Sequence, residues 1–199
     1  MMTITAEEVK KLRSLSGAPM MDCKKALAET NGDLDEAVNW LRKKGVETAG
    51  KRAGREVSEG RVVSYIHHNG KMGVMVEVNC ETDFVASTDQ FEEFCKEISL
   101  QVAGMGATHV SRDEVAEDIV AKEKEVLSDQ IDDSKPQEIQ DKIVEGRLSK
   151  FFAEICLLEQ PWIKDDSKTI EDYRAETVGV IGENIQIRRF VRFELGGED

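Results

Sequence analysis

The chain has 199 residues, 40% of them hydrophobic and 34% charged; this length allows one sizeable core with a small appended domain, and the composition predicts folding rather than disorder. A net charge of −13 repels phosphate backbones and argues against general nucleic-acid binding. No apolar run reaches the roughly 18 residues that cross a bilayer, and the start, Met1 to Glu8, lacks the basic and apolar regions of a signal peptide, so no membrane partner and a cytoplasmic location are expected.

Three short helices open the chain. Thr5 with Glu8 three residues on reads as a capping box, Val9, Leu12 and Leu15 as an apolar stripe, and Gly17 as a stop. A second helix follows Pro19 to Asn31-Gly32, with Cys23, Ala26 and Leu27 facing in. Asp33 caps a third, whose stripe is Leu34, Ala37, Val38 and Leu41, and Gly45 is expected to stop it. Residues 1–45 thus predict a three-helix domain. Residues 46–56 read as a linker or exposed helix, and residues 57–199 as a core domain.

In the core, His68-Asn69-Gly70-Lys71 carries the Asn-Gly pair of a type I′ hairpin. With that loop Val63 faces Val76 and Tyr65 faces Val74, so the apolar faces coincide. A helix capped by Ser87 follows, with Phe91, Phe94, Cys95, Ile98 and Val102 as a buried stripe. Residues 112–147 carry a net charge of −6, from twelve acidic and six basic side chains. Pro136 divides that region into the two arms of a helical hairpin spanning about 112–160. A last helix ends near Gly182. The closing strand places Ile185, Ile187, Val191, Phe193 and Leu195 on one face, and Gly196 to Asp199 are expected to fray. The fold class is α+β: an N-terminal three-helix domain, then a core with a small antiparallel three-stranded sheet and a helical hairpin.

Signs of catalysis are few. There is no Gly-x-x-x-x-Gly-Lys-Ser/Thr or Gly-x-Gly-x-x-Gly loop to cradle phosphate, and no cofactor is implied. Cys23, Cys80, Cys95 and Cys156 form no Cys-x-x-Cys pair and read as free thiols. Strand alternation sends His67 and His68 to opposite faces, which argues against a shared metal. No catalytic or metal residues are therefore expected, and the chain reads as a non-enzyme. The basic stretch Arg42, Lys43, Lys44, Lys51, Arg52 and Arg55 is ordinarily a solvated surface. Phe84 fits neither neighbouring apolar periodicity, and its neighbours Thr82 and Asp83 are turn-forming. By itself it reads as packing on the core edge, the common fate of a large aromatic. Met20 and Met21 leave the same choice between packing and an adaptable contact surface.

Several long segments carry a resemblance. Leu12-Arg13 with Gly17-Ala18-Pro19-Met20-Met21-Asp22-Cys23-Lys24-Lys25-Ala26-Leu27, then Glu77-Val78-Asn79-Cys80-Glu81-Thr82-Asp83-Phe84-Val85-Ala86, are similar to signatures of the elongation factor Ts family. So are Lys142 to Leu148, Glu159-Gln160-Pro161, Gly182-Glu183-Asn184-Ile185, Arg188-Arg189-Phe190 and Phe193-Glu194-Leu195. Pro19 departs from the glycine expected there. The resemblance implies a ubiquitin-associated-like N-terminal domain and a guanine-nucleotide exchange factor for elongation factor Tu. Thr82, Asp83, Phe84 and Val85 would then disturb the partner's magnesium and phosphate site, with Phe84 as the wedge. Arg13, Met20 and Met21 match contacts of the N-terminal domain, and His67, Ile181 and Gly182 match further contacts. The chain is short for the family, which implies a two-fold homodimer supplying a second core unit. Two other readings remain: an adaptor binding ubiquitin-like or helical partners through the three-helix domain, and an RNA-associated translation protein using the basic stretch.

Overall fold

A computed structural model describes residues 4–131 and 136–197; Glu198 and Asp199, part of the end expected to fray, lie outside the described residues. The chain divides into two compact units. One comprises residues 1–62, 77–95 and 172–187, and the other residues 63–76, 96–171 and 188–199.

The first unit begins with α1 (Ala6–Ser16), α2 (Met20–Glu29) and α3 (Leu34–Arg52). Thr5 and Glu8 form the full capping box, and Gly17 closes α1 at φ +67, a conformation costly for any residue with a Cβ. Val9, Leu12, Ala18, Cys23, Ala26, Leu27 and Ala37 form the core of these three helices. Leu15 does not join them and is exposed. Ser16 takes the place one turn beyond Leu12, its hydroxyl donating to the Leu12 carbonyl at 2.8 Å.

The third helix does not stop at Gly45 but continues to Arg52. Gly45 serves close approach instead of termination. A Cβ there would lie 3.2 Å from the Ala175 carbonyl oxygen of α8 (Ile170–Ile181), and one on Gly179 would lie 3.0 Å from the Gly45 Cα. Arg42 adds an ion pair to Asp172 at 2.9 Å, so α3 and α8 are held backbone to backbone at one point and by charge at another.

The strands β1 (Glu59–Ile66), β2 (Met72–Cys80) and β5 (Ile185–Glu194) form a three-stranded antiparallel sheet in the order β1-β2-β5. The His67 N–H donates to the Met72 carbonyl at 2.9 Å, which is the expected register, but the turn differs from expectation. Gly70 is left-handed at φ +66, whereas Asn31 is the only described non-glycine residue with positive φ, so Asn69 does not adopt the type I′ conformation. The Gly70 N–H instead closes a turn onto the His67 carbonyl at 2.8 Å. This turn also takes His68 out of strand alternation, and the His67 and His68 rings lie 4.2 Å apart rather than on opposite faces.

In β5 the alternation slips. Ile185 and Ile187 are buried, Arg188 and Arg189 are both exposed, and beyond them Phe190 and Arg192 are half-buried while Val191 and Phe193 face solvent. Two successive outward residues are what an extra residue in a strand produces, so the apolar face expected along the whole strand is split between its two sides. In the second unit, the Leu195 N–H donates to the Lys71 carbonyl at 2.8 Å. With the hairpin register this sets Ile66, Gly73 and Phe193 in one row and Ser64, Met75 and Val191 in the next. Ile66, Met75, Val191, Phe193 and Leu195 are all exposed, leaving an open apolar sheet face.

The second unit also holds the helical hairpin, α6 (Glu117–Asp129) and α7 (Gln137–Ile155). Val115, Leu127, Leu148, Phe152 and Cys156 pack within it. Arg112 clamps Glu159 and lies 4.5 Å over the Phe152 ring. A small sheet pairs β3 (Pro161–Trp162) with β4 (Asp165–Thr169); no local pattern signals it, since two residues carry no periodicity and Asp165-Asp166-Ser167 has little strand propensity.

Candidate functional site

The segment after β2 is a short helix, α4 (Asp83–Ala86), rather than an open turn. Thr82 is its N-cap, its hydroxyl accepting the Val85 N–H at 3.3 Å. Ser87 ends this helix instead of starting the next, donating its N–H to the Asp83 carbonyl at 3.1 Å. Thr88 begins α5 (Asp89–Met105), its hydroxyl accepting the Phe91 N–H at 3.3 Å. A single helical turn sends neighbouring side chains in different directions. Val85 and Ala86 enter the core; Asp83 and Phe84 face water. Phe84 is 79% exposed and does not pack on the core edge.

Below Phe84 the backbone is tied on two sides. The Arg61 side chain donates to the Ala86 carbonyl at 2.6 Å, and the Cys80 thiol donates to the Thr82 carbonyl at 3.2 Å. Burial first, then the negative charge of Glu183, push the Cys80 thiol up to about 11, so it stays protonated at neutral pH and is a poor nucleophile.

The other candidates in the first unit are also at its surface. Arg13 is exposed near the end of α1, its carbonyl capped by the Gly17 N–H at 2.8 Å. Met20 and Met21 open α2 and are 43% and 72% exposed. Ile181 is the last residue of α8, and Gly182 closes that helix at φ +82 with its N–H on the Val178 carbonyl. The end of α8 joins the two groups. A Cβ on Gly17 would lie 3.8 Å from Val180 Cγ1, and Glu183 holds Thr82 by two hydrogen bonds. His67 belongs to the second unit, where its Nδ1 lies 2.8 Å from the Tyr65 hydroxyl.

Glu81 and Glu183 stand out in no local sequence pattern. Each is an ordinary polar residue in a loop, and the pairing of the two loops is not written in any local pattern. Among the described residues no group of three or more His, Cys, Asp or Glu side chains is arranged to hold a metal ion, and no helix is long and apolar enough to cross a membrane.

Phe84, Met20 and Met21 thus leave apolar side chains in water on backbone held by hydrogen bonds and helix caps. The family model described as "Elongation factor TS" matches residues 2–196. The chain is 56% identical over 197 residues to "Elongation factor Ts" of Solidesulfovibrio magneticus, covering 98% of both chains. It is 54% identical over 194 residues to the protein of that name from Thermoanaerobacter sp., covering 97% of this chain and 95% of the relative. With that of Geobacter sulfurreducens it shares 52% over 196 residues, covering 98% and 91%. The class is that of translation elongation factors, and the chain belongs to the elongation factor Ts family.

Proposed function

We propose that this chain is a cytoplasmic guanine-nucleotide exchange factor, without a catalytic site of its own, that binds elongation factor Tu·GDP and promotes GDP release. The observation that carries this reading is Phe84, 79% exposed beside the exposed carboxylate of Asp83. An apolar ring kept in water gains free energy when a partner covers it, about 1.5–3 kcal/mol for full burial. Each tenfold loss of nucleotide affinity requires about 1.4 kcal/mol of differential binding, so Phe84 supplies part of the effect. Asp83 brings a negative charge toward a site that holds phosphate through hydrogen bonds and magnesium through oxygen ligands, where repulsion of the phosphate and a small displacement of the ligands both favour release. The remainder comes from Arg13, Met20 and Met21 on the N-terminal helices, and from Ile181, Gly182 and His67. Tighter binding to the nucleotide-free partner than to the nucleotide-bound one is sufficient, because the coupling is reciprocal.

The test is release of a fluorescent GDP analogue from elongation factor Tu. The wild-type chain is expected to accelerate release and Phe84→Ala to lose most of that acceleration; release unchanged by the wild-type chain overturns the reading.

We further propose that two copies associate as a two-fold dimer, with the open apolar sheet face of the second unit as the seat. Gly73 has no side chain in its row, and the Ile66 side chain lies over it, its Cδ1 2.9 Å from where a Cβ would stand, so the row presents Ile66 and Phe193 as one apolar surface. Five large apolar side chains exposed on one face are unusual for a surface that stays in water.

A further inference from the structure

Three segments distant in sequence meet beneath Phe84. Glu183 receives both polar groups of Thr82: the N–H on Oε2 at 3.0 Å and the hydroxyl on Oε1 at 2.7 Å. The Thr82 hydroxyl has one proton and two lone pairs, so while donating to Glu183 it still accepts the Val85 N–H that caps α4. Glu81 answers from the other loop. Its Oε1 accepts the Asn184 N–H at 2.6 Å and the Arg52 guanidinium at 3.4 Å, and its Oε2 takes Arg55 at 3.2 Å. The Asn184 side chain in turn donates to the Arg55 carbonyl at 3.0 Å. The carboxylate of each loop thus binds the backbone of the other.

A four-residue helix has no stability of its own, since nucleating one turn fixes more dihedral angles than its hydrogen bonds repay. The orientation of α4, and with it the exposure of Phe84, must be imposed from outside. Val85 and Ala86 anchor the inner side of the turn. What remains is rotation of its N-terminal end, where Thr82 and Asp83 lie; the Cys80 thiol holds the Thr82 carbonyl there, and the two bonds to Glu183 fix the Thr82 N–H and hydroxyl.

We propose that Glu183 is a positioning residue for the Asp83-Phe84 contact, and that the reciprocal clamp it forms with Glu81 holds α4 in the orientation that presents Phe84 to the partner. The inference rests on the exchange reading above. Its chemistry is specific: a carboxylate is needed because both Thr82 groups donate, and bonds to a charged acceptor are about twice as strong as neutral ones. Arg52 and Arg55 extend the same device, since through Glu81 the end of α3 is fastened to the loop that carries the wedge.

The test compares Glu183→Ala, Phe84→Ala and the double variant in the release assay, with amide hydrogen exchange at Thr82 and Val85 measured on the free protein. Glu183→Ala is expected to slow stimulated release about tenfold, or about 1.4 kcal/mol. Exchange at those two amides should quicken while the amides of α2 stay unchanged. The double variant should be no slower than Phe84→Ala alone, because Glu183 acts through that ring. Multiplying effects in the double variant overturn the proposal, as does quickened exchange throughout the unit, which would mark a merely structural carboxylate. Stimulation by wild type that Phe84→Ala reduces and Glu183→Ala does not overturns the clamp alone. Absence of stimulation by wild type overturns the exchange reading; the two amides then decide the clamp, upheld if they quicken and overturned if they do not.

Discussion

Phe84 contributes little to folding, because its ring is already in water in the folded chain. Substitutions at such positions stay within about 0.5 kcal/mol, so Phe84→Ala should leave the thermal midpoint within about 2 °C of wild type while stimulated release falls. A calorimetric scan beside the release assay checks the separation. Glu81 behaves in the opposite way. Burial disfavours its charge, but the Asn184 N–H and the Arg55 and Arg52 guanidinium groups outweigh it and hold the carboxyl below the ordinary 4.5. The folded state therefore binds fewer protons here than the unfolded state, and the stability this group confers is complete above that value and is lost as pH falls through the lowered one. Urea unfolding between pH 3 and 7 should show an acid limb that flattens in Glu81→Gln. Neither role was legible residue by residue. Periodicity marked Phe84 as belonging to no stripe but could not give its direction, because a single turn of helix has no repeat. The resemblance to family signatures implies a role that periodicity does not reach.

Glycine means different things in different helices. Gly179 faces the Gly45 backbone of α3, where an added methyl meets an atom at 3.0 Å that cannot swing aside. Gly146, within α7, has nothing within 4 Å of such a methyl. Gly146→Ala should raise stability by about 0.5–1 kcal/mol through helix propensity, and Gly179→Ala should lower it by about 1–2 kcal/mol through overpacking. Denaturant midpoints of the two variants provide the check, with a gain at Gly179 excluding the close approach described here. This also explains what the sequence could and could not reveal about elements. Caps such as Thr5 and Asp33, and the break at Pro136, are local chemistry and were readable. The continuation of α3 through Gly45, the slip at Arg188-Arg189 and the short β3–β4 pair depend on partners distant in sequence.

At the scale of the whole chain, a net charge of −13 opposes association of identical copies, so a dimer must draw on apolar contact. Added salt screens that repulsion and leaves the apolar seat intact. Sedimentation at increasing ionic strength should therefore show a dimer that tightens, and Phe193→Asp, which places a charge in the middle of the seat, should sediment as a monomer with its fold retained. A wild-type chain that remains monomeric at micromolar concentration in high salt would count against the dimer.

The uninterrupted α3 has a mechanical consequence. Its nineteen residues, at about 1.5 Å each, make a strut roughly 28 Å long. One end is packed among the N-terminal helices, and Arg52 at the other grips Glu81, next to the loop that carries Phe84. A hinge at Gly45 would let the N-terminal helices move without disturbing the turn that carries Phe84. A continuous strut does not, so a push on the first is delivered as load to the second.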